Sequence, residues 1–263
     1  MIKRIARFLL FFLSVIFLLF YFFQEKFFFQ PEKKLHKDYQ FTFKENFVEV
    51  NLTTHDLETI NALHFKVEKP KGIVLFFHGN RGNLKRWGTI VQYFNTFNYD
   101  VFVIDYRNYG KSTGSYNEEA MYKDAQLSYD YAKSHFLENE IVVYGRSLGA
   151  TFATRVAATN HPKELILEAP FYNLKAAVHF KLFFTPSFLL KYKFETNKDI
   201  VKVTNPITVF HGNKDAVTSF KGSKELFKLI KQKDKSYVLL PNGTHHNVMG
   251  FEAYKQKIAV LLK

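Results

Sequence analysis

The chain has 263 residues, 47% of them apolar and 23% charged, and no cysteine. That length and apolar share suit one enzyme-sized domain with its own core, and the lack of cysteine excludes disulfides, thiolate metal sites and a cysteine nucleophile. The formal charge of +13 comes largely from lysines scattered singly or in short groups, with no arginine-rich tract or zinc-finger spacing; this argues against nucleic acid as a partner and for a solvated basic surface.

Residues 8–23 are apolar or aromatic except Ser14, and Lys3, Arg4 and Arg7 precede them. Counted from Ile5, the run approaches the roughly 20 residues that a helix needs to cross a bilayer. A cleaved signal peptide shares the basic start and apolar middle but leaves through small residues. Here the exit reads Tyr21-Phe22-Phe23-Gln24-Glu25-Lys26-Phe27-Phe28-Phe29, which fits an uncleaved anchor with an aromatic belt. Residues 1–29 are therefore expected to be a membrane anchor. Lys26, Lys33, Lys34 and Lys37 lie beyond the span, so basic residues do not fix its orientation. A long domain can translocate regardless of its charge, and a single-pass protein with an extracytoplasmic catalytic domain is the expectation. Residues 30–44 read as a polar linker broken by Pro31, which leaves 45–263 as the catalytic domain. A chain begun near Lys37 is accordingly expected to be soluble and active.

From residue 45 strand-like and helix-like segments alternate, the pattern of a sheet built from βαβ units. Residues 47–52 and 59–67 read as two opening antiparallel strands. Residues 72–77 are a continuous apolar run, as a strand buried on both faces requires; 101–104, 141–144, 165–167 and 207–210 have the same character. Helices are predicted over 84–97, 118–136, 148–159 and 220–230, then a short last strand over 238–240 and a final helix over 248–262. An insertion over about 171–203 interrupts the alternation. It carries Val178-His179-Phe180-Lys181-Leu182-Phe183-Phe184, Pro186 and Ser187-Phe188-Leu189-Leu190, where either a short cap over the site or an ordinary pair of packing helices fits.

The chemistry gathers at the ends of these strands. Gly145-Arg146-Ser147-Leu148-Gly149 follows an apolar strand and opens a helix, the context that a nucleophile elbow demands. The tight turn exposes the Ser147 hydroxyl, the glycines avoid collisions, and the helix N-terminus directs amides at developing negative charge. A serine needs a base to accept its proton, and in this arrangement the acid and then the histidine follow it in the chain. Asp215 lies in His211-Gly212-Asn213-Lys214-Asp215, after the strand at 207–210. The last strand is followed by Pro241-Asn242-Gly243-Thr244-His245-His246-Asn247. His245, first after the Gly-Thr turn, is the expected base, with His246 the alternative. An oxyanion hole needs two amide donors: one is Leu148 N–H, and the other is expected at Asn80, in the loop His78-Gly79-Asn80-Arg81-Gly82-Asn83. His78 precedes the serine in the chain, so a loop-bracing role is expected of it. The loop lacks the G-x-x-x-x-G-K-[ST] pattern of a phosphate cradle.

Together these residues resemble the α/β-hydrolase superfamily, and within it the membrane-anchored serine hydrolases related to the fission-yeast bud-emergence homologue. The matching blocks are Leu75-Phe76-Phe77-His78-Gly79-Asn80-Arg81-Gly82-Asn83, Asp105-Tyr106-Arg107-Asn108-Tyr109-Gly110-Lys111-Ser112, the elbow, Glu168-Ala169-Pro170-Phe171, and His211 to Asp215. The resemblance covers roughly residues 45 to 263. It implies an α/β-hydrolase fold and hydrolysis of acyl esters or thioesters, some of them lipids, and by its register His245 aligns with the base. Two departures stand out: Arg81 replaces a usual small residue, and His245-His246-Asn247 replaces the commoner His-Asn-Asp. Arg81 is expected to narrow the oxyanion side of the pocket or to attract an anionic substrate.

The resulting expectation is ester or thioester hydrolysis on Ser147, Asp215 and His245, without metal or organic cofactor. The substrate is a small-molecule or lipid acyl ester, and the membrane is reached through the N-terminal helix. An amidase or peptidase using the same triad is the rival among enzymes. A non-catalytic binding protein on the same fold is the rival from another class.

Overall fold

The computed structural model describes residues 2–32, 34–182 and 185–263. Lys33 of the expected linker, Phe183 and Phe184 of the insertion and Met1 of the anchor lie outside the described residues.

Eight strands form one sheet in the order β1-β2-β4-β3-β5-β6-β7-β8. They are β1 (Phe47–Thr53), β2 (Thr59–Phe65), β3 (Ile73–Phe77), β4 (Asp100–Ile104), β5 (Ile141–Arg146), β6 (Glu164–Glu168), β7 (Ile207–Gly212) and β8 (Lys235–Leu240). Only β2 runs against its neighbours, and the other pairings are parallel. The continuous apolar runs are explained by burial on both faces. Ile73, Leu75 and Phe77 of β3 enter one core, while Val74 and Phe76 enter the other.

The helices are α1 (Ile2–Phe28), α2 (Leu84–Val91), α3 (Glu118–Lys133), α4 (Leu148–Ala157), α5 (Leu174–Lys181), α6 (Thr196–Asp199), α7 (Phe220–Lys228) and α8 (Glu252–Leu261). Leu84, Trp87 and Val91 of α2 pack with Tyr254 and Ile258 of α8 in the core on one face of the sheet. Met121 of α3, Phe152 of α4 and Leu226 of α7 line the core on the other. This is the α/β-hydrolase fold, preceded by one helix, Lys3–Phe28, long and apolar enough to cross a membrane.

Several boundaries differ from the sequence expectation by a few residues, and three of the differences have a physical reason. The helix expected over 84–97 tightens into a 3-10 stretch at Gln92–Phe97 and stops at Asn98, which takes the left-handed conformation (φ 63°) common at helix ends. The last helix is divided by Phe251, so that Val248–Gly250 is a separate turn. Strand β8 begins at Lys235, ahead of its apolar run, because an edge strand is paired on one side only and tolerates polar residues.

Residues 30–32 and 34–44 follow the domain surface closely. Leu35 N–H donates to Gly110 O (3.0 Å), Phe41 is buried, and Phe43 meets the rings of Phe47 and Phe65 edge-on at 5.2 Å each. The Gln92 side chain accepts from Lys44 and Glu45 N–H at 3.2 and 3.0 Å. The insertion folds as α5, a turn at Ser187–Leu189, α6 and a turn at Ile200–Lys202. Its polar contacts draw it to the α4 side. Thr196 bonds Thr151 (3.0 Å), and Asp199 pairs with Arg155 (2.6 Å).

Candidate active site

The site lies where parallel strands end, the usual position for chemistry in open α/β sheets. Ser147 stands between β5 and α4 with φ 53° and ψ −114°, a conformation strained for any residue with a side chain. Its N–H donates to Glu168 O at 2.8 Å. The flanking glycines are dictated by close approach. A Cβ on Gly145 would meet Ala153 Cβ at 2.5 Å and Ala150 Cα at 2.6 Å, and one on Gly149 would collide with the carbonyls of Phe77 and His78. Helix α4 is thereby pressed against β3, and its first turn faces the loop after that strand.

Asp215 follows β7 and is buried under five contacts. Oδ1 accepts from the N–H groups of Val217 (2.7 Å) and Thr218 (2.8 Å). Oδ2 accepts from Thr218 Oγ1 (3.0 Å) and lies 2.7 Å from His245 Nδ1 and 3.3 Å from His211 Nε2. Burial favours the neutral acid, but the hydrogen bonds to His211 and His245, the His245 charge and the Thr218 amide outweigh it. They hold the carboxyl well below the usual carboxylate range. An Nδ1–H donated to this carboxylate leaves Nε2 as the basic nitrogen of His245.

The loop bearing His245 is closed by Asn247, whose Oδ1 accepts from Thr244 N–H at 2.7 Å. His246 is exposed, its ring edge-on to that of His245 at 5.4 Å, and it does not reach Asp215. Partial burial and the positive charge of His245, Arg146 and Arg86 push its pKa below the usual value. Ser147 Oγ makes no hydrogen bond among the described residues, and such bonds often tighten only when substrate arrives.

Neither Leu148 N–H nor Asn80 N–H donates to an acceptor among the described residues, so both expected oxyanion donors are free. The loop carrying Asn80 is braced from below. His78 is buried, stacked on Trp87 (5.4 Å, 14°), and its Nε2 lies 3.4 Å from Asp105 Oδ1. Tyr106 OH donates to His78 O (2.6 Å), and Trp87 Nε1 to Arg81 O (2.9 Å).

Arg146 carried no expectation, since the middle position of the elbow is chemically unspecified. Its Nε lies 3.2 Å from Glu168 Oε1, its Nη2 donates to His245 O at 2.8 Å, and its guanidinium covers Trp87. One side chain thus ties the elbow strand to the histidine loop. Thr218 and His211, which set the acid's surroundings, were equally silent in the sequence.

A pocket of about 260 Å³ opens among these residues, lined by Gly79, Asn80, Arg81, Arg86, Trp87, Arg146, His245 and His246. No described residue of the insertion at 171–203 lines it. Arg81 and Arg86 have no carboxylate partner among the described residues. His and carboxylate groups with metal-ligand geometry are absent among the described residues.

Known proteins give a consistent set of likenesses. A family model described as serine aminopeptidase, S33 matches residues 68–194. Protein bem46 of Schizosaccharomyces pombe is 30% identical over 232 residues, 84% of this chain and 78% of its own length. Lysophosphatidylserine lipase ABHD12 of Danio rerio is 28% identical over 183 residues, 61% of this chain and 47% of that protein. A solved esterase of Pyrococcus furiosus superimposes with a TM-score of 0.70 at 16% identity, over 89% of this chain and 98% of that one; this is a likeness of fold.

Proposed function

The chain belongs to the α/β-hydrolase family that includes bem46 and is a serine hydrolase acting on esters; from that premise we propose that it cleaves carboxylic esters or thioesters through an acyl-enzyme on Ser147. The observation that carries the reading is the 2.7 Å contact between His245 Nδ1 and Asp215, together with a serine held at φ 53° on the elbow. Ser147 Oγ attacks the acyl carbon as its proton passes to His245 Nε2. The oxyanion is met by the Asn80 and Leu148 N–H groups. Collapse breaks the bond to the leaving oxygen or sulfur, which takes the proton from His245. A water molecule deprotonated by His245 then attacks the acyl-enzyme, releasing the acid and free Ser147. Asp215 steadies the imidazolium throughout.

The free guanidinium groups of Arg81 and Arg86 beside the pocket favour an acyl ester that carries negative charge. The N-terminal helix favours a lipid substrate, with the protein anchored as a single pass and its catalytic domain extracytoplasmic. A second reading, an amidase or peptidase on the same triad, is favoured by the aminopeptidase description of the matching family. Turnover of p-nitrophenyl esters of graded chain length, compared with aminoacyl p-nitroanilides, separates the two. Esters are expected to be the better substrates, and faster anilide cleavage would select the second reading. Ser147→Ala should abolish labelling by a fluorophosphonate probe and lower turnover by on the order of 10⁵- to 10⁶-fold. Labelling retained in that variant would remove Ser147 as the nucleophile, and a wild-type protein that never labels would favour a binding role.

A further inference from the structure

The exit of α1 is built into the loop that carries Asn80. Gln24 is buried, its Nε2 donating to Leu189 O and its Oε1 accepting from Lys191 N–H, both at 2.9 Å. Glu25 Oε1 accepts from Tyr192 OH at 2.7 Å. These bonds seat the helix end on the insertion. Phe29 follows, 2% exposed, its ring stacked on Tyr116 at 4.2 Å and edge-on to Tyr192 at 5.1 Å. Gln30 then pairs in parallel with Arg81, its N–H donating to Asn80 O at 3.0 Å and its carbonyl accepting from Gly82 N–H at 3.2 Å. Asn80 Nδ2 donates to Phe28 O at 3.3 Å, and Tyr109 OH donates to Asn80 O at 2.7 Å.

Asn80 is therefore pinned at its carbonyl and its side-chain nitrogen, and its backbone N–H has no acceptor among the described residues. Two of the three pinning bonds come from the chain at the end of α1. An oxyanion donor stabilises charge only where its N–H already points at the developing oxygen, and a misplacement of about 1 Å is costly in rate. We propose that Phe29 and Gln30 are positioning residues of the active site, transmitting the seat of the membrane helix to the Asn80 amide. The enzyme then reaches full activity only with the anchor exit in place, and a chain begun near Lys37 loses it. This rests on the reading of Asn80 N–H as an oxyanion donor.

The test uses the full-length enzyme in phosphatidylcholine vesicles with a p-nitrophenyl ester. Gln30→Pro deletes the N–H that donates to Asn80 O. It is expected to lower kcat by about 10- to 100-fold with KM changed by less than about threefold, and to slow fluorophosphonate labelling by a similar factor. The acid limb of its pH profile should match wild type, because the contact between Asp215 and His245 is untouched. Gln30→Ala, the conservative replacement that keeps both backbone bonds, should restore kcat to within about threefold of wild type, a loss far smaller than that of an oxyanion donor. Should the proline variant fail to fold, Phe29→Ala read against Phe29→Leu carries the same expectation. Wild-type kcat in Gln30→Pro overturns the proposal, as does an equal loss in Gln30→Ala. A wild-type enzyme that neither turns over the ester nor labels at Ser147 overturns the hydrolase reading itself, so the two failures are distinct.

Discussion

At Asp215 one carboxylate faces two imidazoles, and what separates them is access. His211 belongs to β7, is fully buried, and shares its Nε2 between Asp215 and Thr218 O (3.2 Å). It has no path to a substrate. His245 sits on a loop, 7% exposed, with Nδ1 on the acid, and it lines the pocket. His246 lines the same pocket but lacks the carboxylate, and desolvation, with nearby positive charge, opposes its protonation. A base must gain a proton in the transition state, so the residue paired with Asp215 suits the task and its neighbour does not. His245→Ala is therefore expected to lose turnover nearly as far as Ser147→Ala, by on the order of 10⁵-fold or more. His246→Ala should keep most of its activity. Steady-state kinetics on the two variants decides, and the reverse pattern would move the base by one residue.

Among the elements, β6 carries a group whose titration is readable from outside the site. Glu164 is 7% exposed at the start of this strand and accepts from Thr208 Oγ1 at 2.8 Å. Burial pushes its pKa up to about 7, with the Thr208 hydrogen bond opposing. The folded-state value lies above the ordinary one, so the folded protein holds this proton more tightly than the unfolded chain. The stabilisation is complete below about pH 4.5 and is lost as pH rises through about 7. Relative to Glu164→Gln, the wild-type protein should lose about 2 kcal/mol between pH 5 and pH 8, measured by chemical denaturation at each pH. A difference that stays flat across that range would contradict it. The same strands show what a sequence reveals. Where β3, β5, β6 and β7 are buried on both faces, composition alone marks them, and the elbow is legible because its glycines and serine are neighbours in the chain. Arg146 with His245 O spans 99 residues, and Phe29 with Tyr192 spans still more. Such partners meet only through the tertiary fold, so no local pattern announces them. The segment 30–44 reads as a linker for the same reason. Its charged residues dominate the composition, while Phe43, which holds it down, signals nothing until its partners Phe47 and Phe65 are beside it.

For the molecule as a whole, α1 is the element whose apolar surface the domain leaves uncovered. Its candidate membrane window has none of its residues buried inside the protein, and Phe8, Leu10, Phe11 and Phe22 are each 60% exposed or more. Each such side chain gains on the order of 1.5–3 kcal/mol on leaving water, so the helix requires an apolar surrounding that the domain does not provide. At roughly 1.5 Å per residue its 27 residues extend about 40 Å, beyond the ~30 Å hydrocarbon core of a bilayer. The surplus agrees with a polar end, and Gln24, Glu25 and Lys26 are where the chain meets the domain. Orientation is open to protease shaving of spheroplasts: digestion of the intact hydrolase domain before lysis is the outcome for an extracytoplasmic site, and protection until lysis would reverse it. Cleavage of residues 1–23 as a signal peptide would also cut into the helix just before Gln24, whose two bonds seat it on the insertion. The full-length protein is therefore expected to pellet with membranes, to resist carbonate extraction, and to retain residues 1–23 when its N-terminus is sequenced by mass spectrometry. An inserted helix is not released by removing peripheral charge contacts. A protein that begins beyond Gln24 and stays in the soluble fraction with full activity would mean that the segment is a processed leader.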